Sequence, residues 1–272
     1  MAPSFGRSIS FPLTPGRASS KPRHSRSISL PARTTSSHPL LAELNTRIAA
    51  VRSLTHSSLT ASLTQIHALH SALADLLLLQ DPQDALHRAT NVGDRLLDAF
   101  LLLADAHQGF QECLLVLKHA VAESSAALRR GDAARAASAT RSQRRAEKEL
   151  ARLAVSVSSK CARLSLVGTE DAEMAVALME AAAASSAASA LVFSAASSMS
   201  SSSAASSCKK ITSVFSSFGK KATAPETTTE QALERLHALE QCFDECDGLC
   251  DMVFRSIVQT RVSLLNIMTP TI

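Results

Sequence analysis

From Pro39 onward apolar residues recur at helical spacing. Leu44, Ile48 and Val51, and then Leu59, Leu63, Ile66, Leu73 and Leu77, are separated within each group by three, four or seven positions. Those steps gather the side chains along one stripe of a helix. The pattern predicts a first helix from Leu40 to Gln80, about 60 Å long if continuous, closing at Asp81-Pro82. Proline there has no N–H to give and its ring collides with the preceding turn.

A second helical region is predicted from about Asp84 to Arg130, with an interruption near Asn91-Val92-Gly93. Gly131 suits the left-handed position that ends helices, and Asp132 suits the cap that starts the next. That third helix extends to about Leu166, with Leu150, Leu153, Val157, Cys161 and Leu164 on its inner side, and Gly168-Thr169 closes it. A fourth opens on the acidic turn Glu170-Asp171-Glu173, which favours a helix N-terminus, and is expected to fade into serines near Met199 to Ser207. After a break at Gly219 to Pro225, Thr228 and Gln231 have capping-box spacing. The final helix then carries Leu236, Leu239, Phe243, Cys246, Leu249, Val253 and Ile257. The expected fold is all-α: an elongated antiparallel bundle of about five long helices spanning 39–272, preceded by a disordered basic arm, 1–38.

Composition supports long helices. Hydrophobic residues make up 46% of the chain, carried largely by Ala and Leu, with nine Phe and no Trp or Tyr. Six of the nine prolines fall within the first 39 residues. The net charge of +4 divides unevenly. Arg7, Arg17, Lys21, Arg23, Arg26 and Arg33 precede the first acid, Glu43, so the arm is +6. The remainder, 22 basic against 24 acidic residues, is −2. A Ser/Pro/Arg segment of this kind buries too little to offset its ordering entropy. Its charge fits an acidic protein surface, an anionic membrane or nucleic acid, without choosing among them.

Two strings in the arm repeat one pattern, Arg7-Ser8-Ile9-Ser10-Phe11-Pro12 and Arg26-Ser27-Ile28-Ser29-Leu30-Pro31. Both fit Arg-Ser-x-Ser-x-Pro, which 14-3-3 proteins recognise once the second serine is phosphorylated. The phosphate meets an arginine cluster and the proline turns the peptide out of the groove. The candidate docking residues are Arg7, Ser10, Pro12, Arg26, Ser29 and Pro31. Two copies could engage both grooves of a dimer and gain affinity through effective concentration. The competing reading of the arm is a transit peptide, since it is Arg/Ser-rich and acid-free, although Pro12, Pro15 and Pro22 oppose an amphipathic helix. An intracellular, chiefly cytoplasmic location is expected, with peripheral membrane attachment and plastid import as the alternatives.

The body offers little catalytic vocabulary. It has no His-Glu-x-x-His, no glycine-rich phosphate loop and no nucleophile elbow, and His70 sits on the apolar stripe as a packed residue. Cys242, Cys246 and Cys250 share one helical face, with His237 a conceivable fourth zinc ligand. Tetrahedral sites usually draw ligands from separate elements, so the plainer reading is buried thiols beside Phe243 and Leu249. No catalytic, cofactor-binding or metal-binding residue is assigned. Six cysteines without a secretory signal suggest reduced thiols. Arg141, Arg144, Arg145, Lys148 and Arg152 invite a nucleic-acid reading, but Glu147 and Glu149 interrupt them and no stacking aromatics lie nearby, so a solvated face with local ion pairs is preferred. Residues 181–208 carry no charge, yet Ala and Ser dominate them and only Leu191, Val192 and Phe193 are bulky, too polar a mixture for a membrane span.

Several strings together resemble a plant-specific family, the BYPASS-like proteins. They are Arg26 to Pro31 followed by Ser37-His38-Pro39, the leucine run with Asp81-Pro82-Gln83-Asp84-Ala85-Leu86, the basic stretch Arg141 to Leu150, and Thr260-Arg261-Val262-Ser263-Leu264-Leu265-Asn266-Ile267. They span almost the whole chain in order. The Ala/Ser-rich segment 181–207 departs from the bulkier, more charged helix of the family. The resemblance implies a plant protein connected with root and shoot development, without established enzymatic activity or cofactor. The expectation is a non-enzymatic helical adaptor or scaffold that meets a protein partner and carries a phosphorylatable arm. The alternative is a peripheral membrane protein that lays the basic arm on anionic lipid. No nucleic-acid partner is expected, and the oligomeric state is not legible.

Overall fold

The computed structural model describes residues 38–54, 58–164, 173–216 and 226–269, with side chains placed for all of these except 160–164, 203–216 and 226–228. Residues Ser37–Ile272 form one compact unit. Its elements are α1 (Pro39–Arg52), α2 (Leu59–Leu77), α3 (Gln80–Arg88), α4 (Thr90–Arg130), α5 (Ala133–Leu164), α6 (Glu173–Ser216) and α7 (Glu226–Met268). No strand occurs among the described residues, so the all-α expectation holds, with seven helices rather than about five.

The first long helix is in fact two. Pro39 occupies the first helical position of α1, where a missing N–H costs nothing, and the His38 imidazole accepts from the Leu40 N–H. The helix ends at Arg52; Ser58 then opens α2 by accepting from the Ala61 N–H at 3.1 Å. Leu44, Ile48, Val51, Leu59, Leu63, Ile66, Leu73 and Leu77 are nevertheless all buried. Periodicity identified the inner face correctly and missed the break, because serine caps interrupt a helix without disturbing the apolar count on either side. Pro82 does not end a helix either. It lies in the first turn of α3, where it removes no intrahelical hydrogen bond. The expected interruption near Asn91 falls slightly earlier, at Ala89, and α4 runs unbroken from Thr90.

Gly131 and Asp132 behave as the sequence predicts. Gly131 has φ 66° and ψ 26°, and the Asp132 carboxylate accepts from the Arg135 N–H at 3.0 Å. A side chain at Gly131 would meet open space, so Gly131→Ala isolates the backbone effect. It should destabilise the protein by about 1 kcal/mol, read as a lowered urea midpoint with an unchanged slope. An unchanged midpoint would show that the turn tolerates the substitution without strain.

The largest departure is α6. It does not fade at Met199 but continues to Ser216 as a 44-residue helix. Among the described helices it alone touches all six others, whereas α5 packs only on α4 and α6. Ala181, Ala182, Ala184, Ala188 and Ala196 are buried along it, together with Ser185, Ser186, Ser189 and Ser200. Small side chains around its circumference let several helices approach it closely, as a centrally buried helix requires. The stretch Glu173–Ser202 is long and apolar enough to cross a membrane, yet 67% of its most apolar window is buried within the bundle. What reads as a weak, bland segment is the axis of the core.

The last helix also differs at its start. It begins at Glu226, ahead of Thr228 and Gln231, so their spacing does not mark the helix cap. Its expected stripe lies inward: Leu236, Leu239, Phe243, Cys246, Val253 and Ile257 are buried and Leu249 partly so. Leu150 and Val157 of α5 are buried and Leu153 packs against the core. The side chains of Cys161 and Leu164, and Gly168 to Asp171, lie outside the described residues.

Candidate functional site

Polar chemistry concentrates along the inner face of α6. Ser185, Ser189 and Ser200 recur on one side of that helix, interleaved with Phe193 and Ala196 at steps of three and four. Each serine meets a polar group from a different helix. The Ser185 hydroxyl lies 2.8 Å from Nε2 of His70 on α2. The Ser189 hydroxyl lies 2.8 Å from Nε2 of His107 on α4. Gln143 of α5 donates from its amide to both the carbonyl and the hydroxyl oxygen of Ser200, at 2.8 Å each. Ser200 in turn donates to a Glu147 carboxylate oxygen at 2.8 Å. Three helices are thus latched to the core helix by side-chain hydrogen bonds.

Aromatic rings enclose both imidazoles. His70 meets Phe100 edge-on at 5.7 Å, and His107 meets Phe193 at 5.3 Å and Phe110 at 6.5 Å. Phe110 and Phe193 stack at 4.8 Å. His70, His107, Ser185 and Ser189 are all 0% exposed. Burial holds the His70 imidazole at a pKa of about 3, reinforced by His107 and then His67, and burial alone brings His107 to about 3. Both rings are therefore neutral at pH 7. Among the described residues the Nδ1 atom of each has no hydrogen-bond partner. A buried unfilled lone pair costs less than a buried unpaired N–H, so the tautomer that donates from Nε2 to serine is favoured.

A serine hydroxyl at 2.8 Å from an imidazole has the spacing of a nucleophile and its base. Two features remove that chemistry. Among the described residues no third group orients either Nδ1, and a fully buried hydroxyl is closed to substrate. A cleft of about 540 Å³ does occur, lined by Arg129, Glu230, Gln231, Leu233, Glu234 and His237, but none of the latch residues lines it. The arrangement ties α2, α4 and α5 to α6.

The cysteine cluster is equally enclosed. Cys246 and Cys250 are buried, their thiols pushed up to about 12 mainly by burial, and the half-buried Cys242 is raised by the same cause. Thiols so far from ionising are poor nucleophiles. Among the described residues no group of three His, Cys, Asp or Glu side chains is placed to hold a metal.

On α5, Arg141, Arg144, Arg145 and Lys148 are exposed. The two interrupting carboxylates turn out to be occupied: Glu147 accepts from Ser200, and Glu149 pairs with Arg152 at 3.0 Å. The expected solvated face with a local ion pair is what appears: among the described residues, Arg152 is the member of the run that forms one. The candidate docking residues Arg7, Ser10, Pro12, Arg26, Ser29 and Pro31 lie outside the described residues.

Of the latch residues, sequence reading singled out only His70. His107 could have been found from the α4 row Leu96, Phe100, Leu103, His107, Phe110 and Leu114, whose alternating steps of four and three put it on the buried face. Ser185, Ser189, Ser200 and Gln143 carry no comparable signal. A family model described as Protein BPS1 matches residues 62–267. No curated protein and no solved structure matches the chain.

Proposed function

The chain belongs to the Protein BPS1 family, the BYPASS-like proteins, and from that premise we propose that it is a non-enzymatic helical adaptor. It would act in root and shoot development through protein contacts, with an arm phosphorylated at Ser10 and Ser29. Membership in the family suggests a role in plant development, and the family is not known as enzymatic. The observation that carries the adaptor reading is where the polar side chains go. The His–Ser and Gln–Ser pairs are spent inside the core on holding α6, and the groups left outside are charged helix faces suited to binding rather than turnover.

The arm supplies the regulated contact. Its repeated Arg-Ser-x-Ser-x-Pro strings would dock on a 14-3-3 dimer once Ser10 and Ser29 carry phosphate. A peptide of residues 1–38 phosphorylated at both serines should bind a 14-3-3 dimer in calorimetry at least about tenfold more tightly than either singly phosphorylated peptide, as bivalent engagement requires. Absence of heat from the doubly phosphorylated peptide overturns this arm of the proposal. Equal affinity for singly and doubly phosphorylated peptides removes the bivalent part.

A further inference from the structure

We infer that this chain pairs with a second copy of itself, the acidic outer stripe of α4 lying on the basic outer stripe of α5 from the partner, and reciprocally. The inference is independent of the adaptor reading and rests on the α4–α5 hairpin.

The outward face of α4 carries Asp94, Asp98, Leu101, Asp105, Gln108, Glu112 and Leu115, all exposed and separated by alternating steps of four and three. Such spacing keeps a straight seam along the helix. None of its four acids enters an ion pair among the described residues. On α7, by comparison, three of the acids are paired: Asp244 and Asp247 share Lys118, and Asp251 pairs with Arg255. The outward face of α5 carries Arg141, Arg144, Arg145 and Lys148, likewise exposed and without an ion pair among the described residues. Four large apolar side chains left in solvent lie on the same hairpin: Leu101, Leu115, Val116 and Val155.

The two stripes are offset along the hairpin. A Cβ on Gly109 would lie 3.2 Å from Leu153, and Arg135 approaches Glu123 at 3.9 Å. That register puts Arg152 level with Phe110 and Arg141 level with Val121. The cations therefore occupy the half beside the Gly131 turn, and Asp94, Asp98 and Asp105 the far half. A two-fold axis across the middle lays the basic half of one copy over the acidic half of the other, twice, with the exposed leucines and valines near the seam. The contact is isologous and closes on itself. Charge opposition sets the register and the salt dependence, and the modest apolar area makes it a weak, micromolar dimer. A one-helix-wide seam matches another helix, and the absence of aromatic residues from α5 disfavours stacking on bases or insertion among lipid headgroups.

Sedimentation velocity of the full chain at tens of micromolar tests this directly. Dimer is expected at about 50 mM salt and monomer at about 500 mM. Reversing α5 (R144E/R145E/K148E) should weaken dimerisation at least about tenfold, and reversing α4 (D98K/D105K/E112K) should do the same. Each reversed chain sets like charges against like, but an equimolar mixture of the two restores both contacts and should recover the dimer. Helical circular dichroism and thermal midpoint close to those of the parent confirm that the substitutions act at the surface. A parent chain that stays monomeric at low salt overturns the proposal, as does a dimer that survives either reversal, or a folded mixture that fails to re-associate.

Discussion

Replacing Phe193 with alanine should destabilise the bundle by about 3–5 kcal/mol, lowering the thermal midpoint by on the order of 10 °C. Phe193 is 0% exposed, stacks on Phe110 at 4.8 Å and closes one wall around His107. Its removal leaves a cavity at the point where α4 meets α6, and the neighbouring alanines of α6 have no side-chain length with which to refill it. Leu191, two residues earlier, is 51% exposed, so Leu191→Ala should stay within about 0.5 kcal/mol of the parent. Comparable losses at the two positions would mean that α6 is not centrally packed as described.

Acidification should be the second large perturbation. For His70 and His107 the folded-state pKa is about 3 against an ordinary 6.5, with burial the main cause in both. Between those values the unfolded chain binds more protons than the folded one, so stability falls as pH falls through that window. The slope is about 1.4 kcal/mol per pH unit for each histidine. At pH 5 each imidazole then costs about 2 kcal/mol, and the pair about 4, a large share of the ~5–15 kcal/mol typical of a folded domain. Urea titrations at pH 7 and pH 5 measure it. The double variant H70Q/H107Q, in which each amide can still reach its serine without titrating, should lose most of the acid sensitivity between those pH values. A parent chain equally stable at pH 7 and pH 5 would contradict a buried neutral pair.

These two effects belong to features of unequal visibility. Phe193 stood out in the sequence as one of three bulky residues in a stretch of Ala and Ser, but Leu191, Val192 and Phe193 are consecutive, and nothing local says which of them points inward. The imidazoles are similar: His70 and His107 lie on apolar stripes that periodicity exposes, but their serine partners lie 115 and 82 residues away. On α5, Glu147 and Glu149 look like neutralising neighbours of the arginines when read along the chain. Only Glu149 does so, because Ser200 draws Glu147 toward α6.

By itself the sequence determined the helical class, the inner face of most helices, the turn at Gly131-Asp132 and the concentration of excess positive charge before residue 39. All are local properties, set by backbone preference, side-chain period and composition, which a single pass along the chain can read. Tertiary structure alone decided that the Ala/Ser segment is the central helix, that two histidines are held neutral against its serines, and that an acidic and a basic stripe lie on opposite halves of one hairpin. A small side chain carries no information about its neighbours until they close around it. Whether Ala or Ser marks a weak helix or a closely packed one is settled by the surfaces that other helices bring to it.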